Sequence, residues 1–300
     1  VKGLGIAIAI LAGTLFGVGG TFAQFLFQQR GVDIGWLVTM RLLFGGAALL
    51  LISAARQGRG VLAVWRHDGV PLVVFGLIGM MPVQYTYMAA IGASNTATAT
   101  VLQFTSPAMV AAWLAATGKK RPELRDIAAM ALAMLGTFFL AAHGRVGALS
   151  ISLAALFWGL ASAVAAAFNS LQPGGLLKRH GAAVVAGWGM LIGGVALGVM
   201  HPPWNVQGLW DGRAYAFFAF VLIFGTLLAF YLFNTALAMI GAQKTILLTC
   251  AEPLSAAVLA VWWLGVAWGT MDWLGTACIL ATILLLAKEQ SPETQAEKVT

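Results

Sequence analysis

Apolar runs of membrane-crossing length, divided by short polar breaks, fill almost the whole chain. Ten can be marked, over 3–28, 34–54, 70–91, 96–117, 127–142, 147–171, 182–200, 214–240, 245–266 and 271–287. A hydrocarbon core about 30 Å thick takes about 20 helical residues. Each run is therefore predicted to be a transmembrane helix, the fifth and tenth being short ones. Breaks such as 29–33 and 92–95 are too short to hold a domain, so consecutive helices should run antiparallel. The first run has no small-residue cleavage site and begins a series, which makes it a span rather than a signal peptide. The polar, charged stretch 288–300 is predicted to be a disordered tail.

Composition agrees with an all-α integral membrane protein. The chain is 60% hydrophobic and only 9% charged, with a mean hydropathy of +0.89, whereas soluble domains carry about 25% charged residues. The net charge of +7 would suit nucleic acid, but its distribution suits loops at one membrane face better. With the N-terminus inside, the inner side collects Lys2, Arg56, Arg59, Arg66, Lys119, Lys120, Arg121, Arg125, Lys178, Arg179, Lys244, Lys288 and Lys298. The outer side holds only Arg30, Arg145 and Arg213. Both termini are thus predicted to be cytoplasmic, with the lipid bilayer rather than nucleic acid as partner. Cys250 and Cys278 lie in apolar runs and define neither a disulfide framework nor a metal site.

The two halves resemble each other. Phe16-Gly17 in the first helix recurs as Trp158-Gly159 in the sixth, and Ile91-Gly92-Ala93 recurs as Ile240-Gly241-Ala242. Tyr85 precedes Pro107 by the interval that separates Tyr231 from Pro253, although the Gly-to-Pro spacing is longer in the first half, which leaves two possible registers. The units would be 3–142, with helices one to five, and 147–287, with helices six to ten. Five is odd, so the second unit must enter the membrane from the opposite side. Such inverted repeats are common in secondary transporters, where two similar halves exchange inward-open and outward-open states.

With Ser106-Pro107-Ala108 and Glu252-Pro253-Leu254-Ser255-Ala256-Ala257 added to these motifs, the chain resembles the EamA repeats of the drug/metabolite transporter superfamily. Among its branches it looks most like the YddG-type amino-acid exporters. The resemblance covers about 3–288 and implies a ten-helix monomeric carrier in a bacterial inner membrane, exporting amino acids or other small metabolites by alternating access. Many members carry Gly-Glu after the fourth and ninth helices. This chain has Gly118-Lys119 and Gly265-Val266 there, so no role for that Glu carries over.

Ionisable groups inside a span cost about 2.5–3.5 kcal/mol on insertion scales and are functional candidates by default. Two qualify. Glu252 is a candidate for proton coupling or for pairing with a substrate ammonium; the plainer alternative is a protonated Glu hydrogen-bonded beside Pro253. Arg41 suits a structural role, its stem reaching toward the interface or its head capping carbonyls, with a substrate-carboxylate anchor as the alternative. The estimated depths of Arg41 and Glu252 argue against their pairing. Uncharged polar groups in spans are Gln24, Gln84, Gln103, Ser106, Ser162, Asn169, Asn234 and Thr249, most of which helix–helix contacts would satisfy. Gln84 and Gln103 stand out in mid-helix near aromatics, Gln84 sharing a helical face with Tyr87 and Met88. A substrate site is predicted from Gln84, Tyr85, Tyr87, Gln103, Phe104, Trp158 and Tyr231, an apolar wall with a few polar tips. That lining favours hydrophobic or aromatic amino acids over phosphorylated ligands.

Pro107 and Pro253 fall inside the fourth and ninth predicted helices, as hinges or as static bends. The pairs Gly13/Gly17, Gly19/Gly20 and Gly193/Gly194 are assigned to close helix packing. No phosphate-binding loop is present, and His67, His143, His180 and His201 show no ligand spacing, so no cofactor or metal is expected. Asp33, Asp68, Asp126, Asp211 and Asp272 are scattered singly, which weakens the alternative of a membrane-embedded enzyme acting on lipid-like substrates. A channel, or a carrier of another metabolite class, is the remaining alternative.

Overall fold

A computed structural model describes residues 2–118, 123–142, 152–264 and 269–288. The described residues are all helix and short link, with no strand among them. The first half contains α1 (Lys2–Arg30), α2 (Ile34–Gln57), α3 (Val64–Val74), α4 (Met81–Ala93), α5 (Thr96–Gln103), α6 (Ser106–Ala116) and α7 (Leu124–Ala142). The second contains α8 (Leu153–Leu171), α9 (Gly174–His180), α10 (Ala182–Met200), α11 (Gly212–Leu222), α12 (Ala229–Ile240), α13 (Ala242–Leu248), α14 (Ala251–Leu264) and α15 (Thr270–Lys288). Seven described helices are long and apolar enough to cross a membrane: Gly3–Arg30, Ile34–Gln57, Val64–Ala93, Thr96–Ala116, Leu153–Leu171, Ala182–Met200 and Gly212–Ile240. Thr270–Leu286 is a shorter apolar helix. The chain is an all-α membrane protein. Lys119, Lys120, Arg121, His143, Arg145, Val266, Lys298 and the tail beyond Lys288 lie outside the described residues, as do the first residues of the predicted sixth span.

Several boundaries are set by caps that the scattered aspartates supply. Asp33 accepts the backbone N–H of Trp36 at 2.7 Å to open α2, and Asp211 accepts that of Ala214 at 2.7 Å to open α11. A side-chain oxygen at an N-cap satisfies a donor that the helix leaves orphaned. Asp68 instead receives Arg179 Nε at 2.9 Å and Nη2 at 2.7 Å, with His180 Nε2 at 2.7 Å. α3 is kinked at Asp68 (φ −125°, ψ 22°), and the part beyond the kink, where the third predicted run begins, continues through a π-helical turn, Phe75–Met80, into α4. The eighth run carries a corresponding π turn, Ile223–Leu228, between α11 and α12. Single π turns inside α-helices are frequent at functional sites.

Pro107 and Pro253 each follow an interruption in a predicted span. The fourth rod stops at Phe104-Thr105, between α5 and α6, and the ninth stops at Thr249-Cys250, between α13 and α14. Pro107 and Pro253 then stand in the first turn of the next segment, where the missing N–H breaks no bond. The two breaks are offset by 145 residues, near the 146 of the Tyr-to-Pro interval, whereas the two π turns are offset by 148. The corners differ because α12 turns into α13 on Gly241 alone, at φ +82°, whereas α4 reaches Ala93 and Asn95 caps α5 by accepting Thr98 N–H at 2.8 Å.

Packing repeats the same symmetry. α4 lies on α8 as α12 lies on α1, and α5 and α6 meet α8 as α13 and α14 meet α1. α2 pairs with its counterpart α10, and α7 with its counterpart α15. Both counterpart pairs are antiparallel. A Cβ added to Gly198 would meet Thr39 at 3.4 Å, one on Gly194 would meet Leu43 N at 2.9 Å, and one on Gly187 would meet Leu50 at 2.9 Å. In the other pair Gly136 faces Gly275, Cys278 and Ile279, and Arg125 bonds the carbonyl of Leu285. Lipid offers no hydrophobic drive to helix association, so close backbone approach through small residues does the work. Gly13 lies on the Thr249 backbone and Gly19 on Gly225, at 2.9 and 3.0 Å from an added Cβ.

Candidate functional site

A cavity of about 80 Å³ lies where the two halves meet. Its lining includes Gln84 and Phe230, Tyr87 and Phe233, Gln103 and Thr249, and Ser106 and Glu252. Each pair is separated by the interval between Tyr85 and Tyr231, so repeat-related positions face one compartment. Both halves contribute polar and apolar groups: Gln84, Gln103 and Phe104 from the first, Asn169, Thr249 and Glu252 from the second. Phe230 and Phe233 of the second close on Phe16 of the first with ring centroids 4.9 and 6.1 Å away, forming an aromatic cluster in the lining.

Glu252 sits in the first turn of α14 because the chain restarts its helix there after Thr249-Cys250. Gly17 brings α1 against this restart: a Cβ on it would collide with the Glu252 carbonyl and Ser255 Oγ. The Glu252 carboxylate accepts the Tyr87 hydroxyl, which also lies 2.8 Å from Thr100 Oγ1. Thr100 Oγ1 in turn reaches the Thr96 carbonyl at 2.7 Å.

Arg41 is the second charge in the lining. It is 3% exposed and does not reach toward the interface. Its Nε donates to Thr226 Oγ1 at 2.7 Å, and Nη2 approaches the Gly225 carbonyl at 3.4 Å. The π turn explains this arrangement: Thr226 Oγ1 donates to the Val221 carbonyl at 2.8 Å and keeps a lone pair for Arg41. Arg41 Nη1 has no protein partner; nor have Gln84 Nε2 and Oε1 or Asn169 Oδ1, all on cavity-lining residues. Buried polar groups left unpaired cost about 1–3 kcal/mol each. Four such atoms around one cavity amount to a set of waiting donors and acceptors.

Of the predicted substrate residues, Gln84, Tyr87, Gln103 and Phe104 line this cavity, as does Glu252. Tyr85, Trp158 and Tyr231 do not. Tyr85 and Trp158 stack edge to face at 5.7 Å, with His201 beside Tyr85 at 6.2 Å. Tyr231 borders a different crevice with Arg56 and His180. Helical geometry accounts for the split, since Tyr85 and Tyr87 are about 200° apart around the axis. Arg41 and Glu252 both line this cavity but make no ion pair with each other among the described residues; each is held by other partners. Sequence reasoning missed Phe16, Phe230 and Phe233. The Tyr-to-Pro interval, applied to Gln84 and Tyr87, would have found the last two. Gln24 is a helix tie, accepting Thr96 N–H at 2.8 Å and Thr96 Oγ1 at 2.7 Å. No group of three His, Cys, Asp or Glu suited to a metal occurs among the described residues.

Comparison with known proteins agrees with this architecture. Residues 3–142 and 147–288 each match the EamA-like transporter family. The chain is 36% identical over 294 residues to the uncharacterized inner membrane transporter YicL of Salmonella typhimurium, covering 97% of this chain and 98% of that one. It is 24% identical over 296 residues to the uncharacterized transporter YwfM of Bacillus subtilis, covering 96% and 95%. A solved crystal structure superposes with a TM-score of 0.74 at 20% identity, over 97% of this chain and 99% of its own; at that identity the likeness concerns fold alone. Two family matches covering nearly the full length, on a bundle of apolar helices with internal symmetry, identify the chain as a membrane transporter belonging to the EamA-like transporter family.

Proposed function

We propose that this transporter is a secondary carrier that exports small amphipathic metabolites, amino acids with hydrophobic or aromatic side chains foremost, by alternating access around the central cavity. The observation that carries the reading is the presence of Arg41 and Glu252, each bonded to other groups, in the lining of one buried cavity together with aromatic rings. A guanidinium with a free Nη1 suits a carboxylate, a carboxylate suits an ammonium, and Phe16, Phe230 and Phe233 suit an apolar side chain. An α-amino acid carries all three features. A multiply phosphorylated ligand would call for more than one cation.

The architecture behind this reading is ten spans in two inverted five-helix repeats, both termini cytoplasmic, in the bacterial inner membrane. The antiparallel counterpart pairs α2–α10 and α7–α15 support the inversion, and the basic residues collected at one face support the orientation. The breaks before Pro107 and Pro253 are the hinges at which half-helices tilt. Glu252 releases its proton when the substrate ammonium binds and takes one up when the substrate leaves, with the Tyr87 hydroxyl hydrogen-bonded to its carboxyl group.

A binding screen tests the assignment. Thermal stabilisation of the purified protein by phenylalanine, leucine, phenethylamine and phenylpropionate separates the three subsites. The reading expects the intact amino acids to stabilise most and each truncated analogue to lose most of that effect. Equal stabilisation by the amine and the amino acid would remove the role given to Arg41.

A further inference from the structure

A second crevice, lined by α2, α9, α10 and α12, is not used by the transport reading. Its deep end is apolar, with Leu49, Leu227 and Leu228, and its outer end carries Arg56. Ser53 and Tyr231 lie one to two turns deeper than that rim. The Ser53 hydroxyl is buried with no partner. The Arg56 guanidinium and the Tyr231 hydroxyl make no hydrogen bond or ion pair among the described residues. No acidic side chain lines the crevice.

We infer that this crevice is a docking site for an anionic phospholipid. The wall from Leu49 to Gln57 and from Leu228 to Met239 is about 12–16 Å deep at 1.5 Å per helical residue, close to one leaflet of a hydrocarbon core about 30 Å thick. The chemistry is graded over that depth. Arg56 at the rim meets the phosphate, Ser53 and Tyr231 meet the oxygens of the glycerol ester region, and the leucines meet the acyl chains. Donors without an acidic neighbour select a negatively charged headgroup, and basic pockets between helices at the cytoplasmic side bind such lipids. Placing the site in the cytoplasmic leaflet rests on the proposed orientation; the binding itself does not.

Native mass spectrometry of the detergent-purified protein tests the site independently of transport and topology. Phosphatidylglycerol, phosphatidylcholine and inorganic phosphate are titrated separately. The wild type is expected to retain one phosphatidylglycerol per chain with about tenfold preference over phosphatidylcholine. Arg56→Gln should lose that preference, while Arg66→Gln, a basic residue outside the crevice, should keep it. Ser53→Ala and Tyr231→Phe, which change little volume, should each weaken retention and carry the test if Arg56→Gln fails to fold. Unchanged preference in all three crevice variants, equal retention of phosphatidylcholine, or displacement of the lipid by millimolar phosphate would each overturn the proposal.

Discussion

Tyr87, on α4 of the first repeat, donates its hydroxyl hydrogen to the carboxylate of Glu252, in the first turn of α14 of the second. This bond joins the halves at the cavity and isolates the one acidic side chain lining it. Tyr87→Phe leaves a buried acceptor without its donor, a cost of about 1–3 kcal/mol. Transport driven by a pH gradient should fall about tenfold or more by the same measure, with exchange at equal pH less affected. Glu252→Gln should abolish gradient dependence and also weaken exchange, because the substrate ammonium loses its carboxylate partner. Measuring efflux with and without an imposed gradient checks both, and unchanged gradient dependence in Glu252→Gln would remove the proton role.

Arg41 is held by Thr226 Oγ1 and the Gly225 carbonyl, which leaves Nη1 for the ligand. Arg41→Gln removes one partner of a buried charge pair, a loss of about 2–5 kcal/mol. Affinity for amino acids should fall by about 30-fold or more on that scale. The loss should be absent for the corresponding amines, which titration calorimetry can compare directly.

Phe230 forms the aromatic cluster of the lining with Phe16 and Phe233. Phe230→Ala opens space and removes apolar contact area. Preference should shift from phenylalanine toward bulkier ligands such as tryptophan, by about tenfold in relative uptake. A uniform loss across substrates, with unchanged ratios, would assign Phe230 to packing.

Gly17 lies against the Glu252 carbonyl, so even one methyl requires α1 and α14 to separate. Gly17→Val should destabilise the fold by about 1–3 kcal/mol, seen as a lower melting temperature in detergent. The same change at Gly3, which has nothing within 4 Å of an added Cβ, should leave melting nearly unchanged.

Outside the spans, Arg30 bonds Asp211 at 2.8 Å, and this bond, followed by the Ala214 N–H, holds the Asp211 carboxyl below the usual carboxylate range. A carboxyl lowered in the folded state contributes stability above its unfolded pKa of about 3.9 and loses it as pH falls through the lowered value. The advantage of wild type over Asp211→Asn in melting temperature should therefore be constant from pH 7 to 5 and shrink below pH 4. A difference that stays flat across that acid range would remove the ion pair's contribution.

Seven of the predicted spans, the repeat and the two in-span charges are legible because each rests on a local rule: apolar run length, spacing, or the cost of a charge in hydrocarbon. Gln84, Tyr87 and Glu252 came from the same rules. What sequence hid was direction. Tyr85 and Tyr87 are two residues apart yet point to different compartments, and nothing local says which one faces the partner repeat. For Arg41 the sequence leaves the stem reaching toward the interface or the head capping carbonyls; the structure has the second, at Gly225, beside a hydroxyl in a π turn that no hydrophobic pattern announces.

The central claim is that Arg41 and Glu252 bind an amino acid in a compartment open to one side at a time. Counterflow of labelled phenylalanine in proteoliposomes tests it most directly. The account predicts that unlabelled phenylalanine on the far side accelerates entry of label, that Arg41→Gln loses the acceleration, and that phenethylamine does not substitute. Label that enters at the same rate with and without far-side substrate, or equally in Arg41→Gln, would contradict it.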